Sequence, residues 1–159
     1  MTHSEYWYSK NYSFPQYIET MKGIGFPVFH AIGNHDYCHK VADDTADAQY
    51  KAALGPTYYS FNLGSIHYIV LDDMVYKGAN SYAARIDDRQ MEWLRRDLAA
   101  MDPAVRDVVV GMHVPTVSGL QTDGSYKKAL ENFDEFYALF AGYNLTVLSG
   151  HWHHAHSVR

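Results

Sequence analysis

The sequence has few of the features that mark disulfide-linked, membrane-spanning or nucleic-acid-binding proteins. Cys38 is the only cysteine among 159 residues, which excludes a disulfide within the chain. No apolar run approaches the roughly 20 residues that a transmembrane helix needs, so no membrane association is expected. The formal net charge is −5, so we expect no broad basic surface for nucleic acid.

Targeting and linker segments are also absent from the sequence pattern. Met1–Glu5 has neither a basic start nor an apolar segment, so no signal peptide is predicted and the cellular location stays open. There is no internal repeat and no low-complexity linker. A length of 159 residues suits one domain, which we expect to span residues 1–159.

Hydrophobic patterning predicts helices and strands in mixed order. Strands are expected at Pro27–Ile32, Tyr58–Leu63, Ile66–Leu71, Val108–Met112 and Leu145–Ser149. Helices are expected from Ser13 to Gly23, over Asp43–Leu54, from Asp87 to about Asp102, and over Tyr126–Ala141. Gly64 and Ser65 predict a tight hairpin. Together these elements indicate a layered α/β domain with a mixed sheet.

Histidine, by contrast, is abundant, with ten in the chain. Predicted apolar strands run directly into loops that hold His35, His113, and then His151 and His153. In open α/β sheets, ligands bind beyond the carboxyl ends of the strands, so parallel neighbouring strands would bring these loops together. Imidazoles and an amide oxygen suit a transition metal such as Zn²⁺, Mn²⁺ or Fe.

Each of these residues also has a structural interpretation. Gly33–Asp36 would suit a polar turn, and His113 taken alone would more often be a hydrogen-bonded core histidine. His151 and His153 would point to the same side of an extended segment, which suits chelation or an inert surface strand. The position of His113, directly after the predicted strand Val108–Met112 and before Pro115, favours a metal ligand over a core histidine.

Other polar and aromatic residues are given structural roles. Cys38 is expected to be a buried thiol, and Asp72–Asp73 to cap a strand end or to hydrogen-bond behind the site. Tyr6–Tyr8 is expected to pack at a boundary. The remaining histidines are expected to be structural or peripheral: His3, His30, His39, His67, His154 and His156.

Three blocks, in this order, resemble the calcineurin-like metallophosphoesterase family. Gly33–Asp36 (GNHD) resembles the family's GNHD/E block, Gly111–Pro115 (GMHVP) its lone-histidine block, and Gly150–His153 (GHWH) its GHxH block. The intervening sequence is similar too, including Tyr58–Phe61 and Gln90–Leu94. The resemblance implies a calcineurin-like α/β/β/α sandwich with mixed sheets.

The resemblance also implies a role for each block. The implied metal ligands are Asn34, His113 and His151 for one cation and His153 for the other. The implied catalytic residues are His35, acting on the substrate phosphate as general acid or charge stabiliser, and Asp36, orienting it. The intact family site holds two divalent cations (Mn, Fe or Zn), which generate a hydroxide that attacks phosphorus. The implied function is a phosphomonoesterase or phosphodiesterase acting on a phosphorylated substrate of unknown type.

The sequence departs from the family at its start. The family's first blocks, Asp-x-His and Gly-Asp, have no counterpart here, so the fold is expected to lack its first β-α unit. With those ligands absent we expect one bound metal or none, and impaired hydrolysis. The alternative is a non-catalytic metal- or partner-binding module that retains the fold. An exposed sheet edge would favour self-association.

Overall fold

A computed structural model describes residues 13–38, 45–78 and 81–153, together with residues 155 and 157. The elements in this part of the chain are α1 (Ser13–Lys22), α2 (Ala48–Leu54), β1 (Tyr59–Leu63), β2 (Ile66–Val70), β3 (Met74–Gly78), β4 (Ser81–Ala84), α3 (Asp88–Ala99), β5 (Asp107–Gly111), β6 (Val117–Leu120), β7 (Tyr126–Lys128), α4 (Phe133–Ala138) and β8 (Asn144–Leu148). The expected mixed α/β class is confirmed.

The main sheet has four strands in the order β1-β2-β5-β8. β1 and β2 form the predicted antiparallel hairpin, and Gly64 in its turn has φ of 61°. β2 and β5 are parallel, as are β5 and β8. Because β5 and β8 run the same way side by side, the loops that follow them emerge at one edge. These are the loops of His113 and His151.

One face of this sheet is covered by α3 and α4. The buried cluster includes Ile69, Val108, Val110, Leu94, Leu98, Phe136 and Phe140. α3 begins as the sequence predicts, because the Asp87 carboxylate accepts a hydrogen bond of 2.7 Å from the Gln90 backbone N–H. The predicted apolar stripe of α3 is therefore the side that packs on the sheet.

A second buried cluster lies beside the GNHD loop. It joins Phe14 of α1 and Tyr50 of α2 to Ile32, Tyr76 and Val114. Ile32 precedes the loop and Val114 follows His113. Packing in this cluster therefore fixes the chain on both sides of the candidate site.

The strand predicted at Pro27–Ile32 is wrong. The segment has no strand assignment, and its backbone bonds to a side chain: the Tyr59 hydroxyl accepts from the His30 N–H at 2.8 Å and donates to the His30 carbonyl at 3.0 Å. Phe29 stacks on Phe61 at 4.0 Å yet stays 54% exposed. The segment is therefore held by aromatic stacking and by hydrogen bonds to Tyr59, and its backbone pairs with no strand.

The long helix predicted over Tyr126–Ala141 is also wrong in its first half. Tyr126–Lys128 forms β7, which pairs with β6, and only Phe133–Ala138 is helical. The Ala129 and Leu130 N–H groups donate to the Thr116 carbonyl at 2.9 and 3.2 Å, so neither serves a helix. Leu130 is nonetheless buried, so its place in the apolar pattern of the predicted helix reflects burial and not helical structure.

One further predicted helix is shorter in the structure, and one hairpin is new. The helix predicted at Asp43–Leu54 is observed as Ala48–Leu54, and Asp43 and Asp44 lie outside the described residues. The β3–β4 hairpin was not predicted. None of the helices in the described ranges has the length and apolar character that crossing a bilayer requires.

β8 forms an edge of the main sheet, and no described strand pairs with its outer side. The strand carries no charge, proline or bulge that would block pairing with another chain.

We expect self-association at micromolar concentration, seen in light scattering as a mass above 18.2 kDa. Thr146→Lys, in the middle of β8, should restore that monomer mass. The matched control Thr20→Lys on α1 should not, and a monomeric wild type would contradict the prediction.

Candidate metal centre

Three predicted ligands from distant parts of the chain meet at one point. The Asn34 Oδ1 atom lies 2.8 Å from His113 Nε2. His151 Nδ1 lies 3.1 Å from the same nitrogen, and the two imidazole rings are 4.9 Å apart at 74°. The sheet produces this meeting, because His113 and His151 follow the parallel neighbours β5 and β8.

The two imidazoles are in the protonation state that binds metals. The pKa of His113 is lowered to about 4, chiefly by burial and in smaller part by the charges of His151, His35 and His153. Burial likewise lowers the pKa of His151, with help from His153 and His35. Both rings are therefore neutral near pH 7, which is the charge state in which an imidazole binds a cation.

The separations between these atoms fit a shared cation. Ligands about 2.1 Å from one metal lie roughly 3.0–3.4 Å apart at angles between octahedral and tetrahedral. The observed distances of 2.8 and 3.1 Å are close to that range, and without a metal one proton on His113 Nε2 can bridge both contacts. No three His, Cys, Asp or Glu side chains form a metal-binding group in the described part of the chain. The group seen here is two histidines and an amide.

His35 and His153 lie near the same centre. The charges of both residues act on the His113 ring and contribute to its lowered pKa.

His151 and His153 have positive φ, 63° and 56°, and are the described non-glycine residues that do. Their predicted extended conformation is therefore wrong. Left-handed backbone at non-glycine residues is costly and is concentrated at functional sites.

Gly33 and Asp36 shape the GNHD turn. The Asp36 carboxylate accepts a hydrogen bond of 2.9 Å from the Gly33 N–H, and Asp36 is 8% exposed. A side chain at Gly33 would place its Cβ 3.0 Å from two atoms of the His113 ring. A larger residue here would therefore displace the His113 ring by a few tenths of an ångström. Orientation of His35 by Asp36 stays a prediction.

Asp73 supports the lone-histidine loop from behind. It is fully buried, and its carboxylate accepts hydrogen bonds from the N–H groups of His113 at 3.1 Å and Val114 at 2.7 Å. Burial raises the pKa of Asp73 to about 7, and these two bonds oppose that rise. This is the hydrogen-bonding role that the sequence predicted for Asp72–Asp73.

Asp72 anchors the other side of this region. Its carboxylate accepts from the Tyr37 hydroxyl at 2.5 Å, and its backbone N–H and carbonyl bond to the Gln90 amide at 2.8 and 2.7 Å. Burial raises the pKa of Asp72 to about 7, while the Tyr37 bond lowers it. Asp72 therefore holds a proton in the folded chain at pH values where it would be ionised in the unfolded chain.

This shift predicts a pH-dependent stability. The unfolded carboxyl loses its proton near pH 4 and the folded one near pH 7, so the free energy of unfolding should fall as pH rises across that window. In Asp72→Asn, the free energy of unfolding measured with urea should fall less steeply with pH, with a slope smaller by up to about 1.4 kcal/mol per pH unit. Asp88→Asn, with an exposed carboxylate, should match the wild-type slope. Equal slopes for wild type and Asp72→Asn would contradict the prediction.

Several other residues have the structural roles expected of them. His67 is buried near the start of β2, opposite Val108, with its ring nitrogens 2.8 Å from Asn62 Oδ1 and 2.9 Å from Asp97 Oδ2. His30 packs edge-on against Tyr17. Cys38 is buried and free. The remaining predictions, for Tyr6–Tyr8 and for His3, His39, His154 and His156, lie outside the described residues.

Sequence reasoning missed one residue that contacts this group. The Tyr82 hydroxyl lies 3.0 Å from His151 Nε2, and the two rings meet edge-on at 6.0 Å. Tyr82 belongs to β4, in the hairpin that was not predicted. It is 69 positions away from His151, and no local pattern distinguishes it from the other thirteen tyrosines.

A protein-family model matches this chain. No curated protein sequence matches the chain. The family model for calcineurin-like phosphoesterases matches residues 5–155, a span that contains all three motif blocks. Because this match covers most of the chain, the chain belongs to the calcineurin-like phosphoesterase family.

Proposed function

We propose that this protein is a metal-dependent phosphoester hydrolase whose catalytic cation is bound by Asn34, His113 and His151. The observation that carries the proposal is the convergence of the three side chains, with His113 Nε2 2.8 Å from Asn34 Oδ1 and 3.1 Å from His151 Nδ1. Membership of the family supports metal-dependent phosphoester hydrolysis in general.

The chemistry divides between the metal and the protein. A bound divalent cation polarises phosphoryl oxygens and makes water an effective nucleophile near neutral pH. The protein's part is to hold neutral donors in place, so that the full charge of the cation faces an anionic phosphate. His35 would place a proton at the leaving oxygen, a task suited to an imidazole because it exchanges protons near neutral pH.

A second cation, as in a two-metal mechanism, would have fewer protein ligands than the first. Of the described residues, His153 is the candidate ligand for it, whereas the first cation has three. One ligand holds a cation weakly, so we propose single occupancy at ordinary metal concentrations and impaired turnover. Substrates would be phosphomonoesters or phosphodiesters, and the metal Mn, Fe or Zn.

The experiment is a metal titration combined with an assay of hydrolysis. Mn²⁺ and Zn²⁺ binding should be measured by isothermal titration, and turnover with p-nitrophenyl phosphate and bis-p-nitrophenyl phosphate at saturating metal. The proposal expects one tight binding event and slow, metal-dependent release of p-nitrophenol. Failure to bind either metal would overturn the proposed site.

A second candidate function is a non-catalytic metal- or partner-binding module. The small ligand set for the second cation favours it, because a single cation loses the bridging geometry of a two-metal site. This alternative expects the same metal binding but no hydrolysis of either ester at any metal concentration. Metal binding without turnover would therefore replace the hydrolase proposal with the module.

A further inference from the structure

We propose that Tyr82 is a positioning residue that holds His151 in the tautomer and direction required for metal binding. The proposal rests on the proposed metal site, because it concerns one of its ligands. Tyr82 touches His151 on the side opposite the candidate cation: the hydroxyl faces Nε2 at 3.0 Å, while Nδ1 faces His113 at 3.1 Å.

With the Asn34 amide oxygen facing His113, one set of hydrogen-bond directions satisfies all three contacts around the two rings. Asn34 Oδ1 can only accept, so His113 Nε2 carries the hydrogen that points into the centre. His151 Nδ1 then accepts from the same hydrogen, and its own proton must lie on Nε2. Nε2–H donates to the Tyr82 oxygen, which leaves the Nδ1 lone pair directed at the metal position.

Without the Tyr82 hydroxyl, nothing described in the structure would favour this tautomer from the outer side. Histidines that bind metals almost always donate their other N–H to an outer partner, and loss of that partner typically reduces metal affinity about 10–100-fold. The backbone of His151 is in a costly left-handed conformation, with φ of 63°. A hydrogen bond from its ring to Tyr82 helps to stabilise the residue in that conformation.

The hairpin offers a matched control for Tyr82. Tyr76 is its cross-strand partner, and the buried Tyr76 hydroxyl has no hydrogen-bond partner among the described residues. Both substitutions, Tyr82→Phe and Tyr76→Phe, remove one oxygen from the same hairpin and keep the ring. Only the first removes a bond to a candidate ligand.

The test measures Zn²⁺ affinity and the tautomer of His151 by ¹⁵N-detected imidazole NMR. The metal-free wild type should show the Nε2–H tautomer, Tyr82→Phe should show a mixture, and its Zn²⁺ affinity should fall about tenfold. Tyr76→Phe should match wild type in both measurements. A spectrum of Co²⁺-loaded protein should shift in Tyr82→Phe alone.

The outcomes separate this inference from the proposed function. If wild type binds no metal, the metal site itself fails. If wild type binds Zn²⁺ and Tyr82→Phe binds it within twofold, the role of Tyr82 is overturned. The wild-type tautomer needs no variant, so an Nδ1–H form of His151 in the metal-free protein would overturn the inference even if Tyr82→Phe failed to fold.

Discussion

His113→Ala is expected to lower Mn²⁺ and Zn²⁺ affinity by more than about 100-fold, the upper end of the loss caused by removing even an outer partner of a metal site. The reason is geometric, because His113 Nε2 is the atom that both Asn34 and His151 contact. Removing it leaves the other two donors without their shared neighbour. Isothermal titration with each metal gives the measurement, and metal-dependent hydrolysis should disappear with it.

His67→Ala is the matched control for this prediction. His67 and His113 are both buried, but His67 bonds to Asn62 and Asp97 and pairs with Val108 near the start of β5, at the opposite end of that strand from His113. We expect the control to lose thermal stability and to keep wild-type metal affinity at a temperature where it is folded. Equal loss of affinity in both variants would mean that His113 acts on folding rather than on the metal.

His35→Ala is expected to reduce kcat by about 10²–10⁴-fold, the usual contribution of a positioned general acid or base. Metal affinity should stay within twofold of wild type, since His35 is not among the predicted ligands. The measurements are steady-state hydrolysis of bis-p-nitrophenyl phosphate at saturating Mn²⁺ and isothermal titration of the metal.

The combination of readouts decides the role of His35. Loss of turnover with retained metal binding supports the assignment to the leaving group. A parallel loss of metal affinity would instead make His35 a ligand, and unchanged turnover would remove it from the mechanism. Affinity for inorganic phosphate, measured in the same metal-loaded protein, should fall as well, because His35 is proposed to approach the phosphate.

Local sequence patterns predicted some elements well and failed where long-range bonds decide the structure. The Asp87 cap and the Gly64 turn need only neighbouring residues, and both are observed. The helix predicted from Tyr126 fails because the Thr116 carbonyl takes the N–H groups of Ala129 and Leu130. A sequence pattern shows that Leu130 is apolar but does not show which carbonyl accepts a hydrogen bond from its N–H.

The sequence by itself determined the donor types of the candidate site, since the GNHD, lone-histidine and GHxH blocks contain one amide and the imidazoles that a transition metal prefers. Tertiary structure decided how they meet. Asn34 and His113 are 79 positions apart and His113 and His151 are 38, and only the parallel pairing of β5 and β8 brings the last two together. It also decided the contact of Tyr82 with His151, because a hydrogen bond between distant strands depends on packing that no local pattern records.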